Sequence, residues 1–237
     1  MKRVLLSVCL AGTMLFSSCN ELNKLSALLA PSEFEMASGL REALTQGLFR
    51  GFDAFADPNN GNPLLKFAFP GDAAKIEKTL KDLGMTSLVN QVTSKFTNAM
   101  SQAVIAAKPI FLNSVKNMSF RDVTSLLITE NTHAATDYFK TAMSPELMTA
   151  FRPIVDSTAN LNGANQEWSK LANIYNKIPL INKPLENSLT DFIAARAIDG
   201  MFMKVAEEEE NIRTKIEFRK TDLMKKVFGY ADQQLKK

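Results

Sequence analysis

The sequence predicts an all-α protein: an irregular bundle of about eight to ten helices with proline-punctuated connections and one long C-terminal helix. Three observations predict it. The residue mix favours helix, with abundant Ala, Leu, Lys, Met and Glu, sixteen Phe, and few alternating runs of Val, Ile, Thr or Tyr. Apolar residues recur three and four positions apart, the spacing that lines one face of a helix. Pro, Gly and capping residues interrupt that periodicity at short intervals.

The N-terminal stretch stands apart. Lys2 and Arg3 precede an apolar run over residues 4–16, which at about 1.5 Å per residue is too short to cross a hydrocarbon core of roughly 30 Å. That is the layout of a signal peptide over residues 1–18. Leu15-Phe16-Ser17-Ser18-Cys19 then looks like the lipobox of bacterial lipoproteins, in which the cysteine thiol is acylated and the chain is cut ahead of it. A plain secretory signal with an incidental cysteine is the alternative, but no small-x-small cleavage site stands out before Asn20. Acyl chains contribute about 0.8 kcal/mol per buried methylene, so two or three on Cys19 hold a protein firmly to a bilayer. Asn20, where an aspartate would resemble an inner-membrane retention signal, favours the outer membrane. Residues 19–31 read as a lipidated tether, with Leu22, Leu25, Leu28 and Leu29 spaced for a short amphipathic turn. Residues 32–237 read as a single all-helical domain.

The helices follow in order. Ser32 and Glu35 form an S-x-x-E capping box, and Phe34, Leu40, Leu44, Leu48, Phe52 and Phe55 recur at helical spacing to residue 56. The Asp-, Asn- and Pro-rich run over 57–63 breaks that helix. Residues 64–70, short, apolar and bounded by prolines, read as an extended segment laid on the helices. Ile76, Leu80 and Leu83 mark a second helix closed by Gly84. Thr86 is expected to cap a third, with Leu88, Val92, Phe96, Met100 and Val104 or Ala103 inward, and Pro109 ends or kinks it. Short helices are expected over 109–118, over 120–128 capped by Ser119, and over 132–140. Ser144-Pro145 opens another, which Pro153 should bend or split and Asn162-Gly163 should end. Residues 166–178 are amphipathic through Trp168 and Leu171, followed by a stiff link containing Pro179 and Pro184. The longest helix is expected over 186–215, with Leu189, Ile193, Ala197, Met201, Val205 and Ile212 on one seam. Thr221 caps a last helix holding Leu223, Val227, Phe228 and Leu235.

Composition removes several functions. Losing Lys2 and Arg3 lowers the formal net charge of +3 by two, which leaves no electrostatic case for nucleic acid. Cys9 leaves with the signal and Cys19 carries lipid, so no thiol remains for a disulfide, a redox pair or a zinc site. His133 is the single histidine, so one chain cannot build a His-His metal site, a Ser-His-Asp triad or a Cys-His pair. No phosphate-loop, dinucleotide or nucleophile-elbow motif occurs. Neither a cofactor nor a metal is expected.

The candidate site lies in the acidic run Glu207-Glu208-Glu209-Glu210. Successive helical residues are about 100° apart, so four glutamates cannot share one side. Glu208 and Glu209 fall three and four positions after Val205 and before Ile212, on the side of the core seam. A carboxylate there needs a cation or several donors. Arg213 stands one turn beyond Glu209, and Arg41, Arg152 or Arg196 can reach in from elsewhere. Thr136 and Tyr138, beside His133, are the other candidates for a polar pocket. The arrangement reads either as a pocket for acid-base work or a cation, or as a structural ion pair or solvated helix end.

The pieces Leu40-Arg41-Glu42-Ala43-Leu44, Phe69-Pro70-Gly71-Asp72, Lys108-Pro109-Ile110-Phe111, Ala134 through Phe139, Ala206 through Glu209 with Ile212-Arg213, and Thr221 through Gly229 together make the chain resemble the family called domain of unknown function 4197. The likeness covers nearly all of the chain after the signal, and departs from the usual pattern at Met100-Ser101 and Leu127-Ile128-Thr129. It implies an uncharacterised bacterial envelope protein, often a lipoprotein, with no established site residues. The expected function is a lipid-anchored binding or scaffold module of the envelope, held to the membrane through its acylated cysteine and meeting an envelope protein or a small ligand. The alternative is a carboxylate-dependent periplasmic enzyme of unknown reaction.

Overall fold

Glu33–Ala56 (α1) begins at a reciprocal cap: the Ser32 hydroxyl accepts from the Glu35 N–H at 3.2 Å, and Glu35 Oε2 accepts from the Ser32 N–H at 2.9 Å. This is the capping box its sequence predicts. The structure, a computed structural model, describes residues 30–57, 66–69, 73–120, 122–178, 184–185 and 188–236. The expected signal peptide, Cys19 and the tether up to residue 29 lie outside them. Among the described residues the elements after α1 are α2 (Ala73–Asp82), α3 (Thr86–Ala106), α4 (Lys108–Asn117), α5 (Val123–Leu127), α6 (Ala134–Leu161), α7 (Ala164–Tyr175), α8 (Thr190–Thr214), a 3-10 turn (Ile216–Phe218) and α9 (Asp222–Leu235). No strand occurs among them, in keeping with the all-α expectation.

The buried side chains form one continuous cluster with α8 at its centre, packed between α1 and α6. Small residues recur every fourth position on α1, at Gly39, Ala43, Gly47 and Gly51. A Cβ added at Gly47 would stand 2.8 Å from the Val205 Cα, so the two helices approach closer than any larger residue there permits. On the far side α3 meets α6 and α7. Phe96 stacks on Phe67 with centroids 5.0 Å apart and meets the fully buried Trp168 edge to face at 6.4 Å. Phe67 belongs to the predicted extended segment, of which residues 66–69 are described, and its N–H donates to Thr97 Oγ1 at 3.1 Å.

Four boundaries differ from the sequence expectation. The helices expected over 132–140 and after Ser144 are one helix, α6, which at 28 residues is longer than the 25 of α8. Pro145 and Pro153 do not split it because both are exposed, so the carbonyls they leave unpaired one turn back, on exposed Thr141 and Thr149, face water. Buried Phe139, Leu147, Phe151 and Val155 hold its other side to the core. The helix expected behind Ser119 starts later and is shorter, with Asp122 as its cap, accepting from the Ser125 N–H at 3.0 Å. A carboxylate at a helix N-terminus accepts the capping bond and also meets the positive end of the helix dipole, and the Ser125 hydroxyl and N–H hold the Asp122 carboxyl below its ordinary pKa. Thr86 is the first residue of α3 but supplies no side-chain cap. α8 begins at Thr190, later than the apolar spacing suggests. Gly84 and Gly163, both at positive φ, end α2 and α6 as expected.

Candidate functional site

α8 passes the start of α6 with its acidic run, and the four glutamates separate as the helix turns. Glu207 and Glu210 are exposed, pairing with Lys204 at 2.6 Å and with His133 at 3.3 Å. Glu209 is 1% exposed and Glu208 4%.

Glu209 completes a helix that cannot cap itself. The cap position of α6 is His133, which makes no capping bond with its side chain. The Glu209 carboxylate occupies that place instead, accepting from the Ala135 N–H at 3.0 Å, the Thr136 N–H at 2.7 Å and the Thr136 hydroxyl at 2.6 Å. These are the second and third helical amides, which have no acceptor within their own helix. From the other side Arg213 donates to Glu209 Oε1 through Nε at 2.8 Å, with Nη2 forming an ion pair to the same oxygen at 2.7 Å. The same guanidinium caps the end of α5, giving Nη1 to Leu127 O at 3.0 Å and Nη2 to Leu126 O at 2.7 Å, and lies 5.6 Å over the Phe228 ring. Four hydrogen bonds, two to each oxygen, saturate the lone pairs of this carboxylate. The arrangement joins three chain segments at a point sealed from solvent and leaves no oxygen for a substrate proton.

The structure therefore brings together Thr136, Glu209 and Arg213 of the candidate residues, and places the other two elsewhere. Glu208 faces α1, accepting from Gln46 Nε2 at 2.6 Å and standing 3.4 Å from Arg50 Nε. Tyr138 donates its hydroxyl to Ser119 O at 2.8 Å and stacks on Phe120. Arg152 pairs with Asp191, Arg41 donates to Met118 O and Arg196 to Lys66 O, so none of the three reaches the glutamates. Arg219, which the sequence reading passed over, is 4% exposed and forks onto Asp232 at 2.8 and 3.1 Å while donating to the Ile212 and Arg213 carbonyls. Its signal was a basic residue just past the end of a helix. Among the described residues no three His, Cys, Asp or Glu side chains gather as a metal site.

An open groove of about 590 Å³ lies between α1, α4 and the start of α9. α1 and α4 run antiparallel along it: at one end Arg41 Nη2 donates to Met118 O at 2.7 Å, and at the other the Lys108 ammonium lies 4.7 Å from the Phe49 ring centre. Phe49, Leu112, Val115 and Met224 supply the apolar surface, with Arg41 and Lys116 on the walls. Gln46 is already bonded to Glu208 and to Phe218 O, and the Thr221 hydroxyl donates to Glu42. A hollow of about 620 Å³ along α3 is walled by that helix alone, from Thr86 to Lys95, and is surface relief. The groove was out of reach of the sequence reading because its three walls come from residues far apart in the chain.

A helical bundle with a sealed polar junction and an open amphipathic groove is the class of protein these features define. The chain belongs to the family described as protein of unknown function, DUF4197, whose model matches residues 30–229. No curated protein and no solved structure matches it. Among the described residues no helix is long and apolar enough to cross a membrane.

Proposed function

We propose that this chain is a lipid-anchored protein of the bacterial cell envelope, held at the outer membrane through acylated Cys19 and facing the periplasm, and that it works as a binding or scaffold module. The observation that carries the binding reading is the α1–α4–α9 groove, whose apolar surface and polar rim are the combination that ligand sites use. Saturation of Glu209 supports binding over acid-base chemistry. The lipobox-like run ending at Cys19 supports the anchor.

Two measurements test this. A photoreactive residue at Leu112, in the groove, is expected to give a discrete adduct in living cells, while the same probe at Leu161, which is 83% exposed on the far end of α6, gives none. Equal adducts from both positions, or none from either, refute the binding module. Mass spectrometry of the native chain is expected to find acylated Cys19 at the N-terminus, and an intact Met1 or a free thiol at residue 19 refutes the anchor.

A further inference from the structure

The cations that line the groove have no carboxylate beside them. Lys78, Lys81, Lys95, Lys140, Lys204, Lys226 and Arg152 each stand within 4 Å of a carboxylate. Among the described residues Arg41 and Lys116, which line the groove, have no carboxylate that close; Lys215 and Lys220 also have none, bonding instead to Asn211 and to the Glu217 carbonyl, but neither adjoins an apolar hollow of this size. Arg41 is half-buried, held by two bonds to Met118 O and by the Phe120 ring 5.3 Å away, which leaves Nη1 unbonded. Lys116 is exposed at the same end. The walls carry one opposing charge, Glu42, which is engaged by Thr221. From Arg41 to Phe49 the groove follows α1 for about 12 Å at 1.5 Å per residue, past apolar Leu112, Val115 and Met224.

A peptide laid along this path would bring amides and carbonyls, and Gln46, Glu42 and Thr221 are committed to other partners; unmatched backbone groups disfavour it. A chain with no polar groups along its length and one acid at its end meets no such penalty. Each methylene covered removes apolar surface from water, and a guanidinium with a free edge is well shaped for a carboxylate. We infer that the α1–α4–α9 groove is a binding site for a fatty carboxylate, its head on Arg41 and Lys116 and its chain over Leu112, Val115 and Met224 toward Phe49. The inference rests on the groove being the binding site proposed above.

The test uses the full-length protein in its native membrane vesicles and a dodecanoate carrying a diazirine near the end of its chain. Photolabelling is expected on peptides containing Phe49, Leu112 or Met224. Unlabelled dodecanoate should compete at least about tenfold better than dodecanol, and Lys116→Glu, at an exposed side chain, should cut labelling about tenfold. Arg41→Gln should do the same, with Lys116→Glu as the arm that touches no internal hydrogen bond. Labelling absent from the groove, equal competition by dodecanol, or labelling unchanged by Lys116→Glu overturns the inference. If the Leu112 probe still captures an envelope protein while the groove takes no dodecanoate, the binding module stands and the ligand class falls. Groove labelling on a chain with an intact Met1 upholds the ligand and removes the anchor.

Discussion

Arg213 and Arg41 each lie against an aromatic ring and donate to backbone carbonyls, yet their surroundings differ. Arg213, 7% exposed, shares its guanidinium between the Glu209 carboxylate and the last carbonyls of α5. Arg41 has a carbonyl and a ring but no carboxylate, and one edge faces a groove. A charge fully removed from water must be matched by the protein itself, since an unmatched one is very costly. A charge at an opening can stay unmatched because water solvates it, and that leaves it free for a ligand. The sealed junction therefore bears on stability, and the groove is the place where the proposed recognition would occur.

The largest test of that division is Glu209→Ala, which leaves Arg213 buried without its counter-charge and two α6 amides without an acceptor. A loss of about 3–5 kcal/mol is expected, read as a fall in the urea midpoint at unchanged slope. Replacing Glu209 and Arg213 together by Met should recover only part of it, because the Ala135 and Thr136 amides stay bare. Full recovery would mean that capping contributes nothing. Next, Gly47→Ala should destabilise by about 1–3 kcal/mol despite alanine's better helix propensity, since the new methyl meets the Val205 backbone. An unchanged midpoint would show that α1 and α8 part freely. In the groove, Thr45→Ala and Lys116→Glu should each move stability by less than about 0.5 kcal/mol, and a larger shift in either would dissolve the contrast between the two regions.

The smallest effect concerns pH. The Lys226 ammonium, 2.6 Å from Glu35, together with the Ser32 amide, holds the Glu35 carboxyl below its ordinary value. A lowered folded-state pKa means that the unfolded chain binds the proton first. The contribution is therefore complete above about pH 4.3 and lost as pH falls through the lower folded value. Thermal melts of the parent and Glu35→Gln should differ at neutral pH and converge by about pH 2; a gap that persists in acid would contradict the assignment.

Local signals were legible where one stretch of chain decided the outcome. Ser32 and Glu35 announce the first helix, Gly84 ends the second, Thr221 caps the last, and the spacing of Val205 and Ile212 turns Glu208 and Glu209 inward. The partner of Glu209 within its own helix, Arg213, could be read in the same way. What could not be read was which distant surface each buried carboxylate meets. Thr136 stood out as a polar candidate beside His133 but not as the partner of Glu209, and nothing in the local pattern distinguishes Gln46 from other polar residues; each takes its role only once α8 lies against α6 and α1. Pro145 and Pro153 misled because a proline's effect depends on whether the carbonyl it frees reaches water, which is a property of the assembled surface.

The cap on α6 comes from a residue 74 positions further along the chain. A polypeptide made from its N-terminus onward has produced all 28 residues of α6 well before Glu209 exists. Until then the first turn of that helix has only water for its amides, and the central helix α8 that α1 and α6 pack against is not yet complete, so the bundle can close only on the arrival of its C-terminal third. A chain that stays unlocked until nearly finished is one that can still be passed through a narrow channel unfolded.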